Sequence, residues 1–112
     1  MKFLWLFLIW SLPVFAQEFL PGTEDVPLME GLTKVEETAS FDNPAERMVL
    51  VNAETTLKPA TVFKFYQKSL VNLGWKETRP HYFERGSDSL LIEITSGQKS
   101  HLIQFQLSQV NP

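Results

Sequence analysis

The sequence predicts an α+β fold of order β-β-α-β-β-β, with one helix packed on a single face of a five-stranded antiparallel sheet. Three observations carry this reading. Residues 59–75, PATVFKFYQKSLVNLGW, form the one segment with a long helical apolar stripe. Residues 47–57 alternate apolar and polar side chains as a half-buried strand does. Two Gly-led dipeptides, Gly86-Ser87 and Gly97-Gln98, divide the C-terminal third into three short β-runs.

Residues 1–16 read as a secretory signal peptide. Lys2 supplies the charged start, residues 3–12 are apolar except for Ser11, and Pro13 then breaks the run. Val14 and Ala16 occupy the −3 and −1 positions of a cleavage site before Gln17. The apolar stretch is shorter than the about 20 residues a spanning helix needs. Membrane contact is therefore expected only through the leader before cleavage. The chain has no cysteine, so no lipid can be attached there, and an exported domain without disulfides points to a bacterial periplasm or to secretion. With 13 acidic and 10 basic residues, and Lys2 leaving with the leader, the mature chain is acidic. That excludes an electrostatic nucleic-acid binder.

Residues 17–33 are rich in Pro, Gly and acids and have no period, which predicts an extended N-terminal arm whose Val26, Leu28, Met29 and Leu32 dock on the domain. The domain itself spans residues 34–109. Its first strand, residues 34–41, places Val35, Ala39 and Phe41 on one parity, with Glu37 interrupting. Asp42-Asn43-Pro44-Ala45 is strong turn chemistry. The second strand, residues 47–57, puts Val49, Val51, Ala53, Thr55 and Leu57 toward the core and Met48 and Leu50 away from it.

In the helix, Val62, Phe65, Tyr66, Ser69, Leu70 and Leu73 share one side, with Phe63 at its margin and Val71 stranded on the polar side. Pro59 suits the first helical position, Lys58 is a poor N-cap, and Gly74 followed by Trp75 writes the stop. Residues 81–85, 88–96 and 99–109 then make a meander. Two-residue turns pair Arg85 with Asp88, Phe83 with Leu90 and Tyr82 with Leu91. The second turn pairs Ile94 with His101, Ile92 with Ile103 and Leu90 with Phe105. One face then collects Phe83, Leu90, Ile92, Ile94, Ile103, Phe105 and Leu107, and a one-residue slip scatters that set. Counting these five strands in chain order, antiparallel neighbours suggest the spatial order 2-1-5-4-3.

Residues 25–32 (DVPLMEGL), Phe41-Asp42-Asn43-Pro44, and Phe65-Tyr66 running to Leu73-Gly74-Trp75 resemble a group of small uncharacterised exported bacterial proteins. These recur as a VP-x-x-x-GL arm, a strand hairpin, an FY-x-x-x-L-x-x-x-GW helix end and a C-terminal meander. The resemblance covers most of the mature chain and implies the fold and the export, with no activity and no catalytic residue. Lys58, where such sequences tend to place a capping Ser or Asp, departs from the pattern.

The chemistry-bearing inventory is thin. No zinc-protease, phosphate-loop or nucleophile-elbow motif occurs. His81 and His101 fall on one sheet face near strand ends, where capping the core is a better reading than holding a metal. Glu36-Glu37 and Glu24-Asp25 are neighbours that point opposite ways along extended chain. Ser69 has no base motif beside it, and Arg85 and Asp88 make a surface ion pair. No catalytic, cofactor-binding or metal-binding residue is assigned, and an enzyme is not expected.

Two functional readings follow. In the first, a non-enzymatic module binds another envelope protein through its sheet, with Met48, Leu50, Tyr82, Leu91 and Leu102 on the side away from the helix, unless the N-terminal arm covers them. In the second, a small-ligand carrier holds an apolar molecule between helix and sheet around Phe63, Tyr66 and Phe105. The exported protein, weighed intact after purification from the periplasm, is expected to begin at Gln17, and a species beginning at Met1 contradicts cleavage after Ala16.

Overall fold

The computed structural model describes residues 18–110; the signal-peptide reading falls on residues 1–16 and lies outside the described residues. Within residues 18–110 the fold is α+β, with one helix on a single antiparallel sheet that has six strands instead of five. The elements are β1 (Leu32–Asp42), β2 (Glu46–Thr55), α1 (Pro59–Asn72), β3 (Lys76–Arg79), β4 (Tyr82–Arg85), β5 (Asp88–Ser96) and β6 (His101–Val110). Their order across the sheet is β1-β2-β6-β5-β4-β3.

The added strand, β3, is the tetrapeptide Lys-Glu-Thr-Arg. It has no apolar residue and lies at the sheet edge, so hydrophobic periodicity is silent about it. Its pairing with β4 is closed by Pro80-His81, with Arg79 opposite Tyr82. His81 takes a left-handed φ of 64°, which suits the third position of a turn with Pro before it. His81 is thus a turn residue and does not begin a strand.

This one strand also corrects the order 2-1-5-4-3. Every neighbouring pair is antiparallel, so β2 and β3 run the same way, joined across the sheet by α1. Without β3, the last strand would run parallel to β2 and would need β1 as its neighbour. With β3 present every later direction flips, and β6 pairs with β2 along its full length, from Glu46 opposite Val110 to Thr55 opposite His101. Burial agrees with this placement: β2 alternates buried and half-buried, whereas β1 is mostly exposed at the edge.

The Gly86-Ser87 turn is as expected, with Gly86 at φ 61° and Arg85 opposite Asp88. The second turn is not. Gly97 lacks a positive φ, and its N–H donates to the Ser100 carbonyl at 2.9 Å. Residues 97–100 therefore form a four-residue loop, and the register shifts by two: Ile94 faces Ile103, Ile92 faces Phe105 and Leu90 faces Leu107. A shift of two preserves the faces, so the apolar set stays together, with Phe83, Leu90, Ile92, Ile103, Phe105 and Leu107 buried.

The helix starts at Pro59 with no side-chain cap from Lys58. It ends in a complete Schellman motif: Gly74 at φ 93°, its N–H on the Val71 carbonyl at 3.1 Å, and the Trp75 N–H on the Leu70 carbonyl at 2.9 Å. Val62, Tyr66 and Leu70 are buried, Trp75 packs back into the core, and Leu73 and Val71 are exposed. Ser69 donates its hydroxyl to the Phe65 carbonyl one turn back at 2.8 Å. That bond occupies the group that a nucleophilic reading would need free.

The N-terminal segment is part of the core. Leu20 and Val26 are buried with the sheet and helix residues, and Leu28, Met29 and Leu32 pack against them. The segment doubles back on itself through Leu20 N–H to Val26 O at 2.9 Å and Leu28 N–H to Glu18 O at 2.8 Å. At its tip the Gly22 carbonyl accepts from Arg47, and Asp25 pairs with Arg85. Gly22 takes a left-handed φ of 79°, where a side chain is strained, and a Cβ there would also crowd Val49.

Replacing Gly74 with Ala isolates the conformational part of the helix stop, because the added Cβ meets only the Arg85 side chain at ordinary contact distance. Denaturant unfolding is expected to show a loss of about 1–2 kcal/mol, with Gly74→Asn losing less.

Candidate functional site

Helix and N-terminal segment lie on the same side of the sheet. Ring contacts join Tyr66 to Phe105 at 5.2 Å, and Leu20 and Val26 belong to the cluster that contains Val49 and Val51. The possibility that the arm lies across Met48, Leu50, Leu91 and Leu102 is therefore not what the fold does. Those residues point the other way, and within residues 18–110 both covering elements lie on the opposite face.

Register places them in rows. Ala39, Leu50, Gln106, Leu91 and Tyr82 form one row across the sheet, and Phe41, Met48, Ser108, Ser89 and Glu84 form the next. Met48, Leu50, Tyr82 and Leu91 are half-buried, and Leu102 is 45 % exposed. Tyr82 carries the Arg79 guanidinium over its ring at 4.1 Å. The five residues share this face, although Leu102 lies beyond the central rows, opposite Glu54 and Thr95.

Phe41 joins the face and is 55 % exposed. Strict alternation puts it on the same side as Val35, which packs against the core. The register shift between Glu37 and Ala39 inserts Thr38 as an extra residue and turns Ala39 and Phe41 outward. Glu36 and Glu37 face opposite ways, opposite Asn52 and Val51 respectively.

The residues of the carrier reading separate. Tyr66 and Phe105 are fully buried against each other and line neither the groove beside Phe63 nor the one beside Met29. The Tyr66 hydroxyl donates to the Pro27 carbonyl at 2.8 Å and accepts from the Met29 N–H at 3.2 Å. Burial pushes its pKa well above the ordinary tyrosine value, against a smaller lowering by the Met29 bond. Phe63 sits apart, stacked on the His81 ring with centroids 3.4 Å apart.

That stack borders an open groove of about 350 Å³ along the upper part of β5, lined by Phe63, Pro80, His81, Ile92, Glu93 and Ile94 among others. Glu77 holds the turn in place: its carboxylate accepts from the His81 N–H at 2.9 Å and from Gln67 of α1 at 3.2 Å. Phe63 and His81 were separate sequence candidates. Their contact depends on the Pro80-His81 turn, which periodicity cannot reveal. A second groove, also about 350 Å³, lies between Met29 and the Ala60, Lys64 and Lys68 side of the helix.

His101 is on the core face, opposite Thr55 and Ser96, with Nδ1 buried and lacking a hydrogen-bond partner among the described residues. No three His, Asp or Glu side chains converge within residues 18–110. Arg85 does more than meet Asp88, which is 3.7 Å away. It also pairs with Asp25, donates to the Leu73 carbonyl at 3.2 Å and lies over the Trp75 ring at 4.5 Å.

Compared with protein-family models, curated proteins and solved structures, the chain matches none.

Proposed function

We propose that this chain is an exported, non-enzymatic domain of the bacterial cell envelope that holds a partner protein against the open face of its sheet. The observation that carries the proposal is the one-sided covering: helix and N-terminal segment pack on the same face, leaving Phe41, Met48, Leu50, Leu91 and Leu102 on the other. Several large apolar side chains on one uncovered face are typical of an interaction surface, here in two groups on either side of Gln106 and Ser108 of β6.

The long edges are poorer docking sites than the face. β1 is broken by two register shifts and carries Lys34, Glu36, Glu37 and Asp42. β3 is four polar residues. Both are devices that discourage strand addition. The face has the size a specific complex needs. With strands about 4.8 Å apart rising about 3.3 Å per residue, the four long strands span roughly 19 by 30 Å and the four-residue β3 and β4 add a shorter strip, which approaches the about 800 Å² that each partner buries in a standard interface.

Charge defines the partner further. Glu36, Glu46, Glu54, Glu84 and Glu93 share this face by register, and Lys34, 3.6 Å from Glu54, and Arg79, over the Tyr82 ring, offset part of their charge. The matching surface has apolar side chains interspersed with polar ones and Lys or Arg at its rim. The carrier reading has less support, because Tyr66 and Phe105 fill the space in which the ligand would sit.

Affinity capture from a periplasmic extract tests this with the wild-type chain and a Leu50→Glu, Leu102→Glu double variant. The wild type is expected to retain a protein that the variant holds at least about tenfold more weakly, since the substitutions place charges in the contact. The variant should unfold thermally like the wild type. A partner retained equally by both proteins, or no partner at all, contradicts the proposal.

A further inference from the structure

The pairing of β4 with β5 stops at Tyr82 opposite Leu91. There the chain turns away through Pro80-His81, and the last bond to β5 runs from the Ile92 N–H to the His81 carbonyl at 3.0 Å. β5 continues to Ser96. In an antiparallel ladder the backbone groups of alternate residues point to the same side. The N–H and C=O of Ile94, and the N–H of Ser96, therefore face the side on which Ile92 meets His81. Among the described residues no strand lies beside them.

This open stretch of edge differs from β1 and β3. It is straight, it has no register shift against β6, and it borders the groove under the Phe63–His81 stack. Ile94 is half-buried, and Glu93, Thr95 and Ser96 are exposed. The result is a short row of backbone donors and acceptors next to a recess of mixed lining, with Phe63 and Ile94 as its apolar part and His81 and Glu93 as its polar part. Backbone pairing and a side-chain pocket are the two parts that strand addition uses for affinity and selectivity.

We propose that this notch binds an extended peptide as a short seventh strand. The residue opposite Ile94 exchanges both backbone hydrogen bonds with it and places an aliphatic side chain in the recess between Ile92, Ile94, Phe63 and His81. The next residue lies opposite Glu93, whose carboxylate has no ion-pair partner among the described residues. A lysine or arginine is favoured there, because opposite charges across a strand pair attract. The occupant must end or turn after that residue, because His81 already holds the position opposite Ile92. The peptide recognised is thus a chain end or loop with an aliphatic-basic pair. This site borders the open face, with Leu91 and Glu93 common to both, but its backbone contacts lie on the edge of β5.

A titration of the full chain with acetyl-Ser-Thr-Val-Lys-amide, followed by amide NMR shifts, tests the proposal. Saturable shifts are expected at Ile94 and Ser96, with the His81 ring signals moving in step. Methylating the valine nitrogen of the peptide removes the donor to the Ile94 carbonyl and is expected to abolish the shifts. Replacing its lysine with glutamate should weaken binding about two- to fivefold. These changes are in the probe, so the folding of the protein is not at issue. A Leu50→Glu variant, two strands away across β6, should bind the peptide like the wild type, which separates this site from the centre of the outer face. No saturable shift up to millimolar peptide, equal binding by the methylated peptide, or shifts centred on Leu50 and Leu102 would each overturn the proposal.

Discussion

The buried hydroxyl of Tyr66 is the constraint on which the rest depends. It sits in the centre of the helix's inward stripe with no exposed surface, where an unpaired hydroxyl would cost free energy. The Pro27 carbonyl and the Met29 N–H satisfy it as acceptor and donor. One side chain therefore fixes the helix to the N-terminal segment and to Phe105 of the sheet. Donation to Pro27 requires the protonated phenol, and burial holds the phenol in that form. Because the folded-state pKa is raised, this contribution to stability is fully present below the ordinary tyrosine range. It is lost progressively as pH rises from that range through the higher folded value.

Recruiting residues 18–31 to the helix side has a consequence for the opposite side. A single 14-residue helix cannot cover a six-stranded sheet, and the segment fills the remaining half of the same face with Leu20 and Val26. Arg47 and Arg85 fasten its tip at one end of the sheet, through the Gly22 carbonyl and the Asp25 carboxylate. The apolar residues of the other face keep whatever exposure the side chains of neighbouring strands leave them. The short β3–β4 hairpin adds a second asymmetry, since it ends before β5 does and leaves a gap in an otherwise paired sheet.

Much of this was legible in the residues. The helix stop could be read from Gly74-Trp75 because the left-handed C′ and the returning hydrophobe are sequence-local. The Asn43 turn was legible for the same reason, and its side chain accepts from the N–H groups of Ala45 and Glu46 at 2.8 Å. The face assignments of β2, β5 and β6 survived even where the register moved, because a displacement of two residues leaves the pleat unchanged. Three features were hidden. β3 has no apolar residue to give a period, and its omission alone reversed the neighbour of the last strand. The bulge at Thr38 turned Phe41 outward against its parity. The place of the N-terminal segment was set by a long-range bond from Tyr66, and no local pattern encodes such a bond. The candidate face was read in part, lacking Phe41, and the notch beside His81 was not visible at all.

Hydrogen exchange on Tyr66→Phe tests the clamp most directly. The substitution removes one oxygen and leaves the ring, so packing is preserved while the Pro27 carbonyl and Met29 N–H lose their partner. Global stability is expected to fall by about 1–3 kcal/mol. Protection of the Leu20 and Leu28 amides, which are bonded within the N-terminal segment, should fall further than that of the amides joining β2 to β6. Unchanged protection at Leu20 and Leu28, with stability within about 0.5 kcal/mol of the wild type, would contradict a structure organised around this hydroxyl.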